Sequence, residues 1–505
     1  MYDVVLIGGF PKSYGYQKPI GMYRIATELR THGYSVQCID LFTEMDESTL
    51  FKVFSTVISS ETKVLGITTT LLKSIFGGEF FGVPDKKFIT IVEQAKTLNP
   101  NIKIVLGGSQ IEAHALEELE QFKDHIDLCV AGQGETAILA IMDHLIHGAD
   151  LDVEIINGIP FTSDKKYEFD TFNRSSIQFQ PNDIISPEES LCIEVARGCV
   201  FRCAYCFRDL NGKSFGDMTK HEEILREELI RNYELFGTTN YYIADDTIND
   251  SMKKVEYLHK IFTSLPFKLQ FSSFGRLDLI WKYTEMANIL QEMGMVGISF
   301  GIETLHQEAG RLVGKGLGEK KIKETLEICK DVWKDDVSLC ANFICGLPKE
   351  PVASINRTFD WLISDDCPVD CAAIHPLYIS QNRKNSRMDT DKDGKFLCEF
   401  SGARHDEWKH EHLTFSGAVA LKKRFESRLI NKWPLYYVFN AFALPRLNNI
   451  GVSVDESLRV NRSLKSGANN VRLQSQQERN VAAELFKRTR RRRDEYTNSL
   501  INFSH

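Results

Sequence analysis

What the 505-residue chain lacks narrows the field first. No apolar run reaches the ~18 residues that a membrane-crossing helix takes, so membrane association is not expected. The opening MYDVVLIGGF carries no basic segment of the kind that leads a secretion signal, and it reads directly as a strand. That points to a cytoplasmic protein. No charge sign is in large excess: a net charge of -8 over this length argues against a surface that coats nucleic acid throughout, so nucleic acid is not an expected partner. A disulfide framework is also excluded, although there are 12 cysteines. Most are scattered, as at Cys38, Cys129, Cys192, Cys329 and Cys340, and suit small buried hydrophobes in a reducing compartment. The remaining composition is ordinary, with 43% hydrophobic and 26% charged residues, enough for packed cores in about three domains.

Two regions alternate strand and helix. In the first, YDVVLIGG, SVQCIDL, VLGIT, IKIVLGG and DLCVAG are strand-like runs separated by helical segments such as KFITIVEQAKTL. Each run ends near Gly, Ser or Thr, at what would be the carboxyl edge of a parallel sheet, where open α/β folds bind ligands. This predicts a Rossmann-like, flavodoxin-like domain over residues 1–148. Residues 149–190 are more polar and read as a linker. In the second region, LCIEVARG, NYYIADDT, KLQFSSFGR, VGISFGIET, VSLCANFICGLP and CAAIHPLYI predict six strands of a partial (β/α)6 barrel over 191–380. Residues 381–505 read as a mainly helical region. The run Arg490–Arg493 within it is followed at once by Asp494 and Glu495 and reads as a solvated helix face.

Three cysteines are tightly spaced: Cys199, Cys203 and Cys206, in Arg197-Gly198-Cys199-Val-Phe-Arg-Cys203-Ala-Tyr205-Cys206. Thiolates are soft ligands that favour iron–sulfur clusters and zinc. A structural zinc site takes four ligands, and no fourth Cys or His stands nearby. A zinc site with a distant fourth ligand is the alternative. Three thiolates leave one iron of a 4Fe–4S cluster without a protein ligand. Arg197, Arg202 and Arg208 are expected to put positive charge near them.

The R-G-C-x3-C-x-aromatic-C pattern after the first strand of an α/β region resembles the radical S-adenosylmethionine (SAM) superfamily. The resemblance runs through residues 191–379. It implies that the open iron chelates the amino and carboxylate groups of SAM, and that one electron from the cluster releases a 5′-deoxyadenosyl radical. It further implies SAM contacts at Tyr205, at Asp245 and Asp246 after the second strand, at Arg276 and Glu303 on the third and fourth strand ends, and at Gly346 in the Gly-Leu-Pro turn. The bland alternatives are a helix cap or turn for the Asp pair and a structural ion pair for Arg276 and Glu303.

Residues 1–145 resemble the cobalamin-binding domain of the cobalamin-dependent radical SAM subgroup. The resemblance rests on Gly8-Gly-Phe-Pro near the first strand, Gly107-Gly108-Ser109 after the fourth, and Gly132-Gln133-Gly134-Glu135 after the fifth. Gly107, Gly108, Ser109, Gly132, Gln133, Gly134 and Glu135, with the hydroxyls of Thr68, Thr69 and Thr70, are the implied cobalamin contacts. The D-x-H-x-x-G motif that supplies an axial histidine in some cobalamin proteins is absent. Together the two resemblances imply a radical SAM enzyme using cobalamin to methylate an unactivated carbon. The alternatives are a radical SAM cyclase, oxidase or rearrangement enzyme without methyl transfer, and a non-catalytic iron–sulfur or cobalamin-type sensor or adaptor. A small-molecule or peptide substrate and an electron donor such as flavodoxin or ferredoxin are the expected partners.

Overall fold

The computed structural model describes residues 1–8, 15–42, 45–68, 85–108, 120–156, 158–163, 169–206, 210, 212–214, 216–379, 387–390, 394–396, 398–400, 408–429, 441–459 and 471–503. The chain forms two compact units, Met1–Pro187 with Thr489–His505, and Glu188–Arg488.

The first unit is built on β1 (Val4–Ile7), β2 (Val36–Ile39), β3 (Val64–Thr68), β4 (Lys103–Gly107), β5 (Leu128–Ala131), β6 (Glu154–Ile156) and β7 (Ile159–Ser163), in the spatial order β2-β1-β3-β4-β5-β7-β6. β1 to β5 pair in parallel, with Val4 beside both Val36 and Val64. Their apolar runs are continuous because both faces are covered. Alternate side chains divide between two cores: Val5, Ile7, Leu65, Ile67, Ile104 and Leu106 join Phe54 and Phe88 in one. Val4, Leu6, Val64 and Val105 join Tyr23, Leu29 and Ile141 in the other. The strand order reverses between β1 and β3, which opens a crevice at the carboxyl edge.

The segment read as a linker is part of this sheet. β7 pairs in parallel with β5, and β6 pairs antiparallel with β7, Ile156 opposite Ile159. The Asn157-Gly158 dipeptide between VEII and IPFTS is a two-residue hairpin signal that marks this turn in the sequence. Further on, Asp183 takes a two-pronged hydrogen bond from Arg30 at 2.7 and 2.8 Å.

The chain end also belongs to the first unit. Tyr496 and Leu500, on the helix Val471–Phe503, fill one of its cores. Beside them lies a buried polar knot. Lys18 Nζ donates to Asp40 Oδ2 (2.9 Å), Tyr16 Oη (2.9 Å), Tyr23 Oη (3.2 Å) and the Asp183 carbonyl (2.8 Å). The hydroxyls of Tyr16 and Tyr23 also donate to Asp40, and Tyr496 Oη accepts from the Asp40 amide at 2.8 Å. Burial pushes the Tyr23 and Tyr496 phenols well above their usual range, which keeps them protonated. The arginine run is therefore not one solvated face: Arg492 is buried with its guanidinium 5.3 Å from the centre of the Tyr16 ring, while Arg493 pairs with Asp494.

The second unit is a sheet of β8 (Leu191–Ile193), β9 (Asn240–Ile243), β10 (Gln270–Gly275), β11 (Met295–Glu303), β12 (Ser338–Cys345) and β13 (Cys371–Pro376), in sequential order and all parallel. Helices such as Glu222–Phe236, Met252–Thr263, Glu319–Trp333 and Val352–Ile363 cross between successive strands. The sheet edges are β8 and β13, so this is the open, six-stranded barrel that the strand–helix alternation predicts. The region after residue 380 is less purely helical than expected. β14 (Glu399–Phe400), β15 (Trp408–His410) and β16 (Leu413–Thr414) form a small antiparallel sheet. It is anchored by buried Trp408, whose Nε1 donates to the Leu377 carbonyl at 2.9 Å.

The knot in the first unit gives a stability test. Lys18→Met leaves Asp40 buried without its cation and should lower the opening free energy of the β1 and β2 amides by about 3–5 kcal/mol. Tyr496→Phe removes one hydrogen bond and should cost about 1 kcal/mol. Native-state hydrogen exchange reads both, since it resolves the first unit from the second.

Candidate functional site

The cysteine loop leaves β8 at its carboxyl end and runs to the helix Glu222–Phe236. Gly198 makes the turn possible: its φ is +74°, and a Cβ there would stand 2.3 Å from the Leu210 Cβ and 2.5 Å from its carbonyl oxygen. Backbone bonds close the loop, Cys199 N to the Leu210 carbonyl (3.0 Å), Gly212 N to the Cys199 carbonyl (2.7 Å) and Cys206 N to the Cys203 carbonyl (3.1 Å). All three cysteines are half-buried. Among the described residues no three His, Cys, Asp or Glu side chains converge on one ion position. A cluster makes no such demand, because each thiolate takes a different iron.

Two neighbouring side chains reach the thiols. Arg276 Nη1 donates to Cys203 Sγ at 3.3 Å, and Thr247 Oγ1 lies 3.5 Å from Cys199 Sγ. Burial pushes the Cys199 thiol up, and the Thr247 hydrogen bond opposes it. The arginines singled out within the loop are engaged differently. Arg197 is held by Glu194 at 2.7 Å, and the Arg202 side chain lies across Gly212. Arg208 lies outside the described residues.

The residues implied as SAM contacts fall on the carboxyl ends of neighbouring strands but do not share one role. Tyr205 Oη donates to Glu303 Oε1 at 2.8 Å, and Lys315 Nζ stands 3.4 Å from the same oxygen. Glu303 has φ of +70°, which a non-glycine residue seldom adopts, at a β-bulge between Gly301 and Glu303. The bulge re-aims the Glu303 side chain. Asp245 is committed elsewhere: its carboxylate is 2.7 Å from Lys254 Nζ, deep in the unit, where Lys254 also meets Asp250 at 3.3 Å. This leaves half-buried Asp246 as the acidic residue of the pair nearer the surface. Arg276 is forked onto Asp278 through Nε (2.9 Å) and Nη2 (2.6 Å). Burial alone would raise the Asp278 carboxyl, but the Arg276 fork brings it below its usual value. Gly346 is covered by the Trp408 ring, with a would-be Cβ 2.5 Å from Cη2, and its carbonyl lies 3.0 Å from His410 Nε2.

Sequence reasoning passed over Glu350, just beyond the Gly-Leu-Pro turn. It is buried, and its Oε1 accepts from Thr304 Oγ1 at 2.8 Å and from Ser354 Oγ at 3.4 Å. Thr304 follows Glu303 directly and also caps the His306 amide.

At the carboxyl edge of the first sheet, β4 ends in Gly107, followed by Gly108 at φ +118°, and β5 is followed by Gly132 at φ +83°. Among the described residues no atom stands within 4 Å of a Cβ placed on Gly107. This open backbone suits the flat face of a macrocycle. Gln133 and Gly134 begin the helix Gly134–His147, whose first amides face the same edge. Glu135 instead turns inward, 3.9 Å from Arg24. Thr69, Thr70 and Ser109 lie outside the described residues. Gly8, at the end of β1, is packed by Met22, Pro19 and Thr68.

A three-cysteine loop at the mouth of an open parallel barrel, in a chain that also carries a 2-1-3-4-5 sheet, defines a class of redox enzyme. Residues 193–362 match the Radical SAM superfamily, and residues 10–142 match the B12 binding domain. The chain thus carries a radical SAM domain and a B12 binding domain together, and these two domains imply a 4Fe–4S cluster, SAM and cobalamin as its cofactors. It is 21% identical over 370 residues to an uncharacterized methyltransferase of Pyrococcus horikoshii, covering 67% of this chain and 72% of that protein. Identity is also 21% over 409 residues to the cytidylyl-2-hydroxyethylphosphonate methyltransferase of Streptomyces wedmorensis, covering 68% and 72%. The fold is that of the radical SAM methyltransferase TsrM from Kitasatospora setae, solved with cobalamin and a [4Fe-4S] cluster: the TM-score is 0.67 at 14% identity, over 93% of this chain and 99% of that one. No described helix is long and apolar enough to cross a membrane.

Glu350 generates a pH test. Burial pushes its carboxyl from 4.5 up to about 7, against the hydrogen bonds from Thr304 and Ser354. A raised folded-state value means that the folded protein binds the proton more tightly. Its stabilising effect is complete below pH 4.5 and is lost as pH rises through 7, a swing of up to about 3 kcal/mol. Glu350→Gln should remove this part of the slope between pH 5 and 8. Urea unfolding followed by tryptophan fluorescence measures it, because Trp281, Trp333, Trp361 and Trp408 lie in the second unit.

Proposed function

We propose that the enzyme is a cobalamin-dependent methyltransferase that acts on an unactivated carbon of a small-molecule or peptide substrate. The observation that supports this is the presence in one chain of the Cys199–Cys203–Cys206 loop at a barrel mouth and a 2-1-3-4-5 sheet whose carboxyl edge carries the open Gly107 and the positive-φ Gly108 and Gly132. Two relatives named as methyltransferases favour methyl transfer, while a third, the anaerobic magnesium-protoporphyrin IX monomethyl ester cyclase of Rubrivivax gelatinosus, makes cyclisation the alternative reading.

When bound, the cluster supplies the electron that cleaves SAM reductively, and cobalamin carries the methyl group. Cys199, Cys203 and Cys206 would hold the cluster, and no fourth cysteine follows in the loop, which would leave room for SAM beside it. Tyr205 and Lys315 fix the Glu303 carboxylate at the strand end, where it is placed to accept hydrogen bonds from SAM. Of the acidic pair, Asp246 is half-buried at the strand end and is the one we assign to the SAM amino group, while Asp245 is held in the interior by Lys254. Gly107, Gly108 and Gly132 let the macrocycle lie against backbone. A low-potential flavodoxin or ferredoxin is the expected electron donor.

Anaerobic reconstitution tests the reading. The protein should take up four irons, bind hydroxocobalamin with a change in its visible spectrum, and release 5′-deoxyadenosine from SAM under dithionite. Cys199→Ala, Cys203→Ala and Cys206→Ala should each lose the cluster and leave hydroxocobalamin binding intact. Absence of 5′-deoxyadenosine from fully clustered protein, with candidate substrates present, would count against radical chemistry. Failure to bind hydroxocobalamin would sink methyl transfer.

A further inference from the structure

Arg276 stands on the carboxyl end of β10, and its backbone is clamped from both sides: its N–H donates to Asn249 Oδ1 at 2.8 Å, and Asn249 Nδ2 donates to its carbonyl at 2.9 Å. Asn249 is fully buried, so this position is fixed by the core. The side chain is equally constrained. Nε and Nη2 fork onto Asp278, Nη2 also donates to the Gly314 carbonyl at 3.3 Å, and Nη1 donates to Cys203 Sγ at 3.3 Å. The guanidinium carbon lies 3.8 Å from the centre of the Phe201 ring, inside the cysteine loop. Arg276 is 5% exposed. Its fork is taken by Asp278 and its flat face by Phe201. It is not presented as an open clamp for the carboxylate of SAM.

We propose that Arg276 is a positioning residue for the cluster. Its guanidinium donates to the Cys203 thiolate, raises the reduction potential of the 4Fe–4S centre and seats the loop. The inference rests on the cluster reading above. Its physical basis is that the reduced cluster carries one more negative charge than the oxidised one. A fixed cation at hydrogen-bond distance stabilises the reduced form more. Asp278 holds the fork so that Nη1 is aimed at sulfur. Lysine has the charge but not the planar fork, so it replaces only part of the function.

The test is an EPR-monitored redox titration of reconstituted protein, alongside its iron content. Arg276→Met should shift the midpoint to more negative potential. Arg276→Lys should fall between Arg276→Met and wild type. Arg276→Met with full iron content and an unchanged midpoint overturns the proposal. If Arg276→Met holds no cluster, Arg276→Lys decides. Recovery of iron with a midpoint near wild type supports the assignment, whereas a lysine variant equally poor in iron means that the fork serves only the fold. A wild-type protein that forms no 4Fe–4S cluster at all is a different result, and it removes the cluster reading itself.

Discussion

Parallel pairing brings six strand ends to one edge of the second unit, and every feature of its site depends on that. A parallel ladder needs a crossover between successive strands, so the loops that follow β8 to β13 all emerge on the same side. Residues far apart in sequence therefore meet there. Cys199 follows β8 and lies beside Thr247 after β9, Cys203 is bonded by Arg276 at the end of β10, and Tyr205 is bonded by Glu303 at the end of β11. In each case a strand end supplies the side chain that holds one position of the cysteine loop.

The electrostatics follow from burial. Charges within the unit are paired rather than isolated, because an unpaired buried charge costs several kcal/mol. Lys254 is matched to Asp245 and Asp250, and Arg276 to Asp278. These pairings commit Asp245 to the interior and turn Arg276 toward sulfur. Glu303 keeps an exception: its left-handed backbone at the bulge is a strained geometry of the sort concentrated at functional sites. The same principle shapes the first unit, where buried Lys18 and Asp40 pair with each other and share the hydroxyls of Tyr16 and Tyr23.

Much of the fold was legible because its signals are local. The apolar runs YDVVLIGG to DLCVAG and LCIEVARG to CAAIHPLYI became strands where periodicity placed them. The hairpin of β6 and β7 was missed in a polar stretch although Asn157-Gly158 marked it. The short strands around Trp408 were missed because two- and three-residue strands carry too little pattern. Docking of Tyr496 and Leu500 in the first unit joins positions hundreds of residues apart, for which one sequence holds no signal.

By itself the sequence determined the class of chemistry and singled out a candidate ligand set. The spacing of Cys199, Cys203 and Cys206 is a local property of one loop, and it is readable without the fold. Only the tertiary structure decided what surrounds those thiols. Whether Arg276 reaches Cys203, whether Asp245 is drawn into the interior by Lys254, and what covers Gly346 depend on side chains contributed by different elements. Their meeting is set by packing and by the pairing of buried charge, which no short stretch of sequence encodes.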